Sequence, residues 1–315
     1  MIPTTSVRSR QPVREPWSRE KLYHERAIAI GQCIDLSTWK SYGSALNSYL
    51  NFVHIHNMPV EPTEDTLSFY VVFQCSFLKP DSVDTYLSGI CHQLEPYFPT
   101  IRQMRKSSIV HRTLQGCMRL HGSPTSRKCA LTLDDLSIVI AQTDHNSYDD
   151  CLFLAMILTG FFALLRLGEM TFPNNKSLHN WRKITWRSTV SISDDRYQFL
   201  LPAHKADRFF EGNVVIVNKR QFAHNPLCHF DHYLRLRDAR FPLASPLWIT
   251  SAGHVPTRSF FTRKLALFFD KGVAGQSMRA GGATSLAEHG VAPALIQVTG
   301  CWYLARRPNL RLSTA

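Results

Sequence analysis

The sequence predicts a mainly α-helical protein with one small antiparallel β-sheet, divided into two domains. Three observations predict it. Apolar residues recur at helical spacing from about Leu22 to Leu120. Three short runs rich in β-branched or aromatic residues, Ser188 to Ile192, Gln198 to Leu201 and Asn213 to Val217, follow one another in the second half. Between the halves, Gly122-Ser123-Pro124-Thr125-Ser126-Arg127-Lys128 has the composition of a flexible, basic linker. A chain of 315 residues is long enough to bury a core in each half.

Residues 1–20 are polar, Pro-containing and arginine-rich, without the apolar centre of a signal peptide, and read as a disordered basic tail. Residues 21–121 form the helical domain. Ser37-Thr38-Trp39 opens a helix with a hydroxyl cap, and Tyr42, Leu46, Tyr49, Leu50, Phe52 and Val53 follow its apolar period. Pro59 and Pro62 end it, and Thr63 caps the next helix, Glu64 to Leu78. Asp81-Ser82 starts a third helix after the Lys79-Pro80 break. A fourth spans Ile101 to Leu120 and carries Arg102, Arg105, Lys106, Arg112 and Arg119.

After a linker over 122–130, the second domain covers 131–315. Thr132 caps a helix beginning near Leu133, and the apolar run Cys151 to Leu165 is a buried helix, too short for a membrane span and ending in an arginine. The three strand-like runs come next, and helical patterns resume at Leu227 to Arg240 and Ser259 to Asp270.

Charge narrows the function classes. The formal net charge of +12 favours a polyanionic partner, nucleic acid before an acidic protein. Eight cysteines without a CxxC pair fit reduced thiols and exclude a disulfide framework. Cys228-His229-Phe230-Asp231-His232 has no companion cluster at ligand spacing, so a helix after Pro226 accounts for it better than zinc. No metal and no membrane association are expected.

The most informative stretch is Gln276-Ser277-Met278-Arg279-Ala280-Gly281-Gly282-Ala283-Thr284. It reads as a helix with Ser277 as its cap, Gly290 as its left-handed stop, and two glycines that leave room for a neighbouring backbone. Each glycine costs such a helix about 1 kcal/mol relative to alanine, so close approach is being served rather than helicity. A cation beside small residues at a helix start suits a phosphate. Leu164-Leu165-Arg166-Leu167-Gly168-Glu169 places a second arginine at the end of the buried helix, with an acid one turn along to orient it. Lys205 lies in the turn Pro202-Ala203-His204-Lys205-Ala206-Asp207 between two strands, and Trp302 in Gly300-Cys301-Trp302.

These four boxes, in this order over residues 127–303, resemble those of the tyrosine recombinases, the phage-integrase-like DNA breaking-rejoining enzymes, and are most similar to the branch found in fungal mobile elements. The resemblance implies a helical core-binding domain that clamps DNA opposite an integrase-like catalytic domain. It also implies phosphoryl transfer by a tyrosine that displaces the 5′ hydroxyl, which needs no cofactor. Arg166 and Arg279 would hold the scissile phosphate as its charge grows, and Lys205 would protonate the leaving oxygen. Trp302 would donate its indole N–H. Gln276 stands where the family carries histidine; it can donate a hydrogen bond but exchanges no proton near neutrality. Arg208, Arg258, Arg263 and Lys264 are candidate contacts to backbone phosphates. The nucleophile is the departure. Its expected positions hold Leu310 and Arg311, and Tyr303 directly follows Trp302. The match stops abruptly after Trp302, as a frameshift or splice error would leave it. Double-stranded DNA is the expected partner, with self-association on it, in the nucleus.

Overall fold

Hydroxyl side chains cap about half of the described α-helices in the computed structural model, which describes residues 14–124, 128–202, 212–220 and 224–300. The chain divides into two compact units, residues 1–125 and 126–315.

In the first unit α1 (Arg19–Gly31) buries none of its side chains, so the helical structure begins within the residues expected to be a tail. Helix α2 (Leu36–Ile55) starts a little earlier than Ser37-Thr38 suggests; Asp35 occupies the cap position without a side-chain bond. Thr63 caps α3 (Glu64–Cys75), accepting from the Thr66 N–H while Thr66 reaches back to the Thr63 N–H. Helix α4 (Pro80–Leu94) opens on Pro80 itself, whose fixed φ suits the first helical position, rather than on Asp81-Ser82. The expected fourth helix is two, α5 (Ile101–Arg105) and α6 (Ser108–His121), because Ser107 restarts the helix by accepting from the Val110 N–H. Tyr49, Phe52, Leu67, Tyr70, Val83, Leu87 and Ile90 build the core between α2, α3 and α4. Burial pushes the Tyr70 phenol up to about 12, while its hydroxyl donates to Ser48.

In the second unit α7 (Leu133–Gln142) carries a reciprocal cap, with Thr132 accepting from the Asp135 N–H and Asp135 from the Thr132 N–H. Helix α8 (Tyr148–Phe162) is buried along almost its whole length and forms the axis of the core. The short α9 (Leu167–Met170) follows it. The sheet is antiparallel in the order β1 (Ser191–Ile192), β2 (Arg196–Leu201) and β3 (Asn213–Asn218), with Tyr197 opposite Val217 and Phe199 opposite Val215. The run from Ser188 is mostly not strand: a 3₁₀ turn occupies Arg187–Thr189. Tyr197, Phe199 and Leu201 alternate inward, and Tyr197 stacks on Phe230 at 3.9 Å. Helices α10 (Pro226–Arg240), α11 (Arg258–Leu265), α12 (Ser277–Glu288) and α13 (Pro293–Thr299) complete the unit; α11 ends well before Asp270.

One side chain on α10 carries a structural role that its sequence neighbourhood hides. Arg237 is 1% exposed and donates to Asp238 at 2.7 Å and to the carbonyls of Phe241, Ala244 and Pro246. Asp238 also receives a bidentate bond from Arg187. Burial alone would raise the Asp238 carboxyl; the two guanidinium groups outweigh it and hold the carboxyl below its usual range.

Candidate nucleic-acid interface

The site is built where α8 ends. Leu164 takes a left-handed conformation, φ +53°, as the residue just past the helix cap. The Leu165 N–H returns to the Gly160 carbonyl and the Leu164 N–H to the Phe161 carbonyl, so the turn is a Schellman closure with leucine where glycine is usual. That conformation costs a leucine roughly 1 kcal/mol or more. It persists because both sides of the turn are fixed: the side chain packs toward Gly282, and the Leu164 carbonyl accepts from Arg279 Nη1 at 2.8 Å.

Arg166 follows as the residue capping α9, rather than as the last residue of the buried helix. Glu169, its side chain only 9% exposed, grips it twice: Oε2 accepts from the Arg166 N–H at 2.7 Å and Oε1 from Nη1 at 3.0 Å. The guanidinium is thereby aimed from a fixed backbone while a third of the side chain stays exposed. This is the arrangement a phosphate-binding arginine requires, since a preset cation reorganises little on binding.

Helix α12 is pressed against the same turn. A Cβ on Gly281 would collide with the Leu131 carbonyl and one on Gly282 with the Phe161 carbonyl, so the glycine pair does serve close backbone approach. Gly160 on α8 faces Met278 in the same crossing. Gly275 rests on Leu167, with only 2.5 Å between a Cβ there and the leucine Cδ2. Arg279 thus reaches the backbone two residues before Arg166, and Gln276 sits one residue from the Leu167 contact. A further bond runs from Arg279 Nη2 to the Gly300 carbonyl, which ties the end of α13 to the site.

Ser277 does not cap α12. Gln276 holds the cap position without a side-chain bond, while Ser277 is buried in the first turn and accepts from the Ala274 N–H at 3.0 Å. The preceding loop folds back on Leu167, which shifts the helix start by one residue and turns the hydroxyl inward. At the other end Gly290 is the stop, φ +76°, closed by bonds from Gly290 to Ala287 and from Val291 to Leu286.

The basic residues of α11 part company. Arg258 is exposed and its guanidinium lies over Gly168, which is two residues along the chain from Arg166. Arg263 is exposed on the next turn. Lys264 is partnered: its ammonium donates to Asp150 at 2.6 Å, with the side chain about three-quarters buried, and links α11 to α8. Lys205, Arg208 and Trp302 lie outside the described residues, as do Tyr303, Leu310 and Arg311. The Cys228 to His232 stretch lies on α10, with Asp231 paired to Arg235 and His229 stacked on His145. Among the described residues no three His, Cys, Asp or Glu side chains are grouped to hold a metal ion, and no helix is long and apolar enough to cross a membrane.

No protein-family model and no curated protein sequence matches the chain. Solved structures do. The XerH site-specific recombinase bound to palindromic difH substrate in a post-cleavage complex superposes with a TM-score of 0.58 at 14% identity, over 84% of this chain and 72% of that one. A Tn1549 transposon integrase in complex with circular intermediate DNA gives 0.54 at 14%, over 89% of this chain and 90% of that one. A lambda integrase dimer bound to a COC′ core site gives 0.53 at 12%, over 93% and 98%. The chain carries the mainly helical, lambda-integrase-like fold of the tyrosine recombinases.

Proposed function

We propose that this chain is a DNA-binding protein of the tyrosine recombinase type, related to integrases of mobile elements, which grips the sugar-phosphate backbone of duplex DNA and does not cleave it as written. The observation that carries this reading is the convergence of two arginine boxes on one turn: Arg279 bonded to the Leu164 carbonyl, and Arg166 two residues on, oriented by Glu169. Two preset guanidinium groups suit a phosphate, and the net charge of +12 suits a polyanion at longer range. Residues 21–121 would act as the core-binding domain and 131–315 as the integrase-like domain, joined by the linker at 122–130, with copies associating on DNA in the nucleus. Lys205, Gln276 and Trp302 would complete the phosphate pocket, and Arg208 and Arg263 would touch flanking phosphates.

Affinity for a mixed-sequence duplex is expected to fall steeply as salt rises, and Arg166→Ala to reduce the slope of log affinity against log salt by about one. Absence of salt-dependent DNA binding would instead favour a helical interaction protein with an acidic protein partner.

Cleavage needs a nucleophile in line with the leaving oxygen, and an ångström of misplacement is costly. With Leu310 and Arg311 at the expected positions, a nicked suicide substrate should trap no covalent adduct on a denaturing gel. An adduct that vanishes in Tyr303→Phe would overturn this and make Tyr303 the nucleophile. A second reading, an active recombinase in a longer isoform, is favoured by the abrupt end of the match after Trp302. Sequencing the transcript across that codon tests it.

A further inference from the structure

Helix α11 delivers a third guanidinium to the site by a route the arginine boxes do not use. The segment after α9 is stapled to the start of α11 at three points. The Phe172 N–H donates to the Pro256 carbonyl and the Arg258 N–H to the Phe172 carbonyl, both at 2.9 Å, and the Ser259 N–H donates to Asn174 Oδ1 at 2.9 Å. Phe172 and Thr257 pair as a single parallel bridge, and Thr257 caps the helix by accepting from the Phe260 N–H. Arg258 therefore leaves from a fixed backbone. Its guanidinium comes to rest over Gly168, two residues after Arg166, and a Cβ at Gly168 would stand 3.0 Å from Nη2. The side chain is exposed, and no described carboxylate pairs with it.

The three arginines thus differ in commitment. Arg166 is gripped by Glu169, and Arg279 by the Leu164 and Gly300 carbonyls. Arg258 is positioned by its backbone while its guanidinium stays available. Gly168 is part of the device. It costs α9 helix propensity, and what it leaves is the space the guanidinium occupies.

We propose that Arg258 binds a second backbone phosphate, the neighbour along the same strand of the one held by Arg166 and Arg279, and that Gly168 exists to seat it there. This rests on the reading of the site as a DNA-phosphate pocket. It assigns the pocket two successive phosphates, so strand registration is set by α9 and α11 together.

The test is a salt titration of a fluorescent mixed-sequence duplex with full-length wild type, Arg258→Ala, Arg258→Lys, Gly168→Ala and the Gly168→Ala/Arg258→Ala double variant, with Arg166→Ala alongside. Arg258→Ala should bind roughly tenfold more weakly. Its salt slope should be shallower by about one. Arg258→Lys should keep the slope, because a point charge still meets a phosphate. Gly168→Ala should weaken binding while leaving thermal stability equal or higher, since the far end of a flexible arginine gives way rather than the backbone. In the Arg258→Ala background the same change should have no effect on binding. An unchanged slope in Arg258→Ala beside a reduced one in Arg166→Ala overturns the inference and leaves the pocket standing. Salt-independent binding by the wild type overturns the pocket itself, and the inference with it.

Discussion

Gly282→Ala is expected to cost residues 126–315 about 3 kcal/mol or more of stability. Two terms compete. Alanine in mid-helix gains roughly 1 kcal/mol over glycine, because less backbone entropy is lost on folding. Against that, the added methyl would stand 2.0 Å from the Phe161 carbonyl oxygen, which belongs to the end of α8 and has no rotamer to escape into. A side chain could swing away; a main chain in the core must translate and carry α12 with it. The same displacement would draw Arg279 off the Leu164 carbonyl, so DNA affinity and stability should fall together. Gly116→Ala is the control. Nothing lies within 4 Å of a Cβ there, and that variant should be neutral or more stable. Denaturant midpoints and circular dichroism of the two variants check both signs. A stable, DNA-binding Gly282→Ala protein would mean that α12 does not press on α8 as described.

Arg237→Ala is expected to destabilise by about 3 kcal/mol, whereas Arg235→Ala, two residues away on the same helix, should change stability by less than about 0.5 kcal/mol. The contrast is one of environment. Arg235 makes an exposed pair with Asp231 on the helix surface. Arg237 is buried and satisfies the carbonyls of Phe241, Ala244 and Pro246, which lose their donor when it is removed. Thermal melts of the two variants side by side measure the difference. Equal melting shifts would contradict the strut role of Arg237.

What the sequence made legible follows the range of the interaction. Thr63, Thr132 and Gly290 were readable because a cap or a stop is decided within a single turn. The glycine pair at 281 and 282 was readable as a demand for room, since nothing local justified its cost. The partner in that crossing was not readable, because Leu131 and Phe161 are remote in sequence. Ser277 looked like a cap and is a buried first-turn residue, since the loop before it is folded by a tertiary contact with Leu167. Arg237 stands in Arg235-Leu236-Arg237-Asp238, which reads as a solvated face; nothing in that string foretells a loop of carbonyls arriving from residues 241–246. The partner of Lys264 was hidden for the same reason, its acid lying 114 residues away. Arg258 was identifiable as a cation, but its place over Gly168 depends on the bridge between Phe172 and Thr257.

The bond from Arg279 to Leu164 spans 115 residues of chain. Closing so long a loop is an entropic cost met before any contact across it is returned. The turn at Leu164 is closed locally by its two Schellman bonds, but the Arg279 bond to its carbonyl forms only when α12 arrives. On the proposed reading, phosphate affinity would therefore be a property of the finished molecule rather than of any nascent stretch. Nucleic acid bound there would draw the population toward the fully folded chain by mass action. A half-made chain, basic as it is, could adhere to DNA only through diffuse charge, and would release it to the first rise in ionic strength.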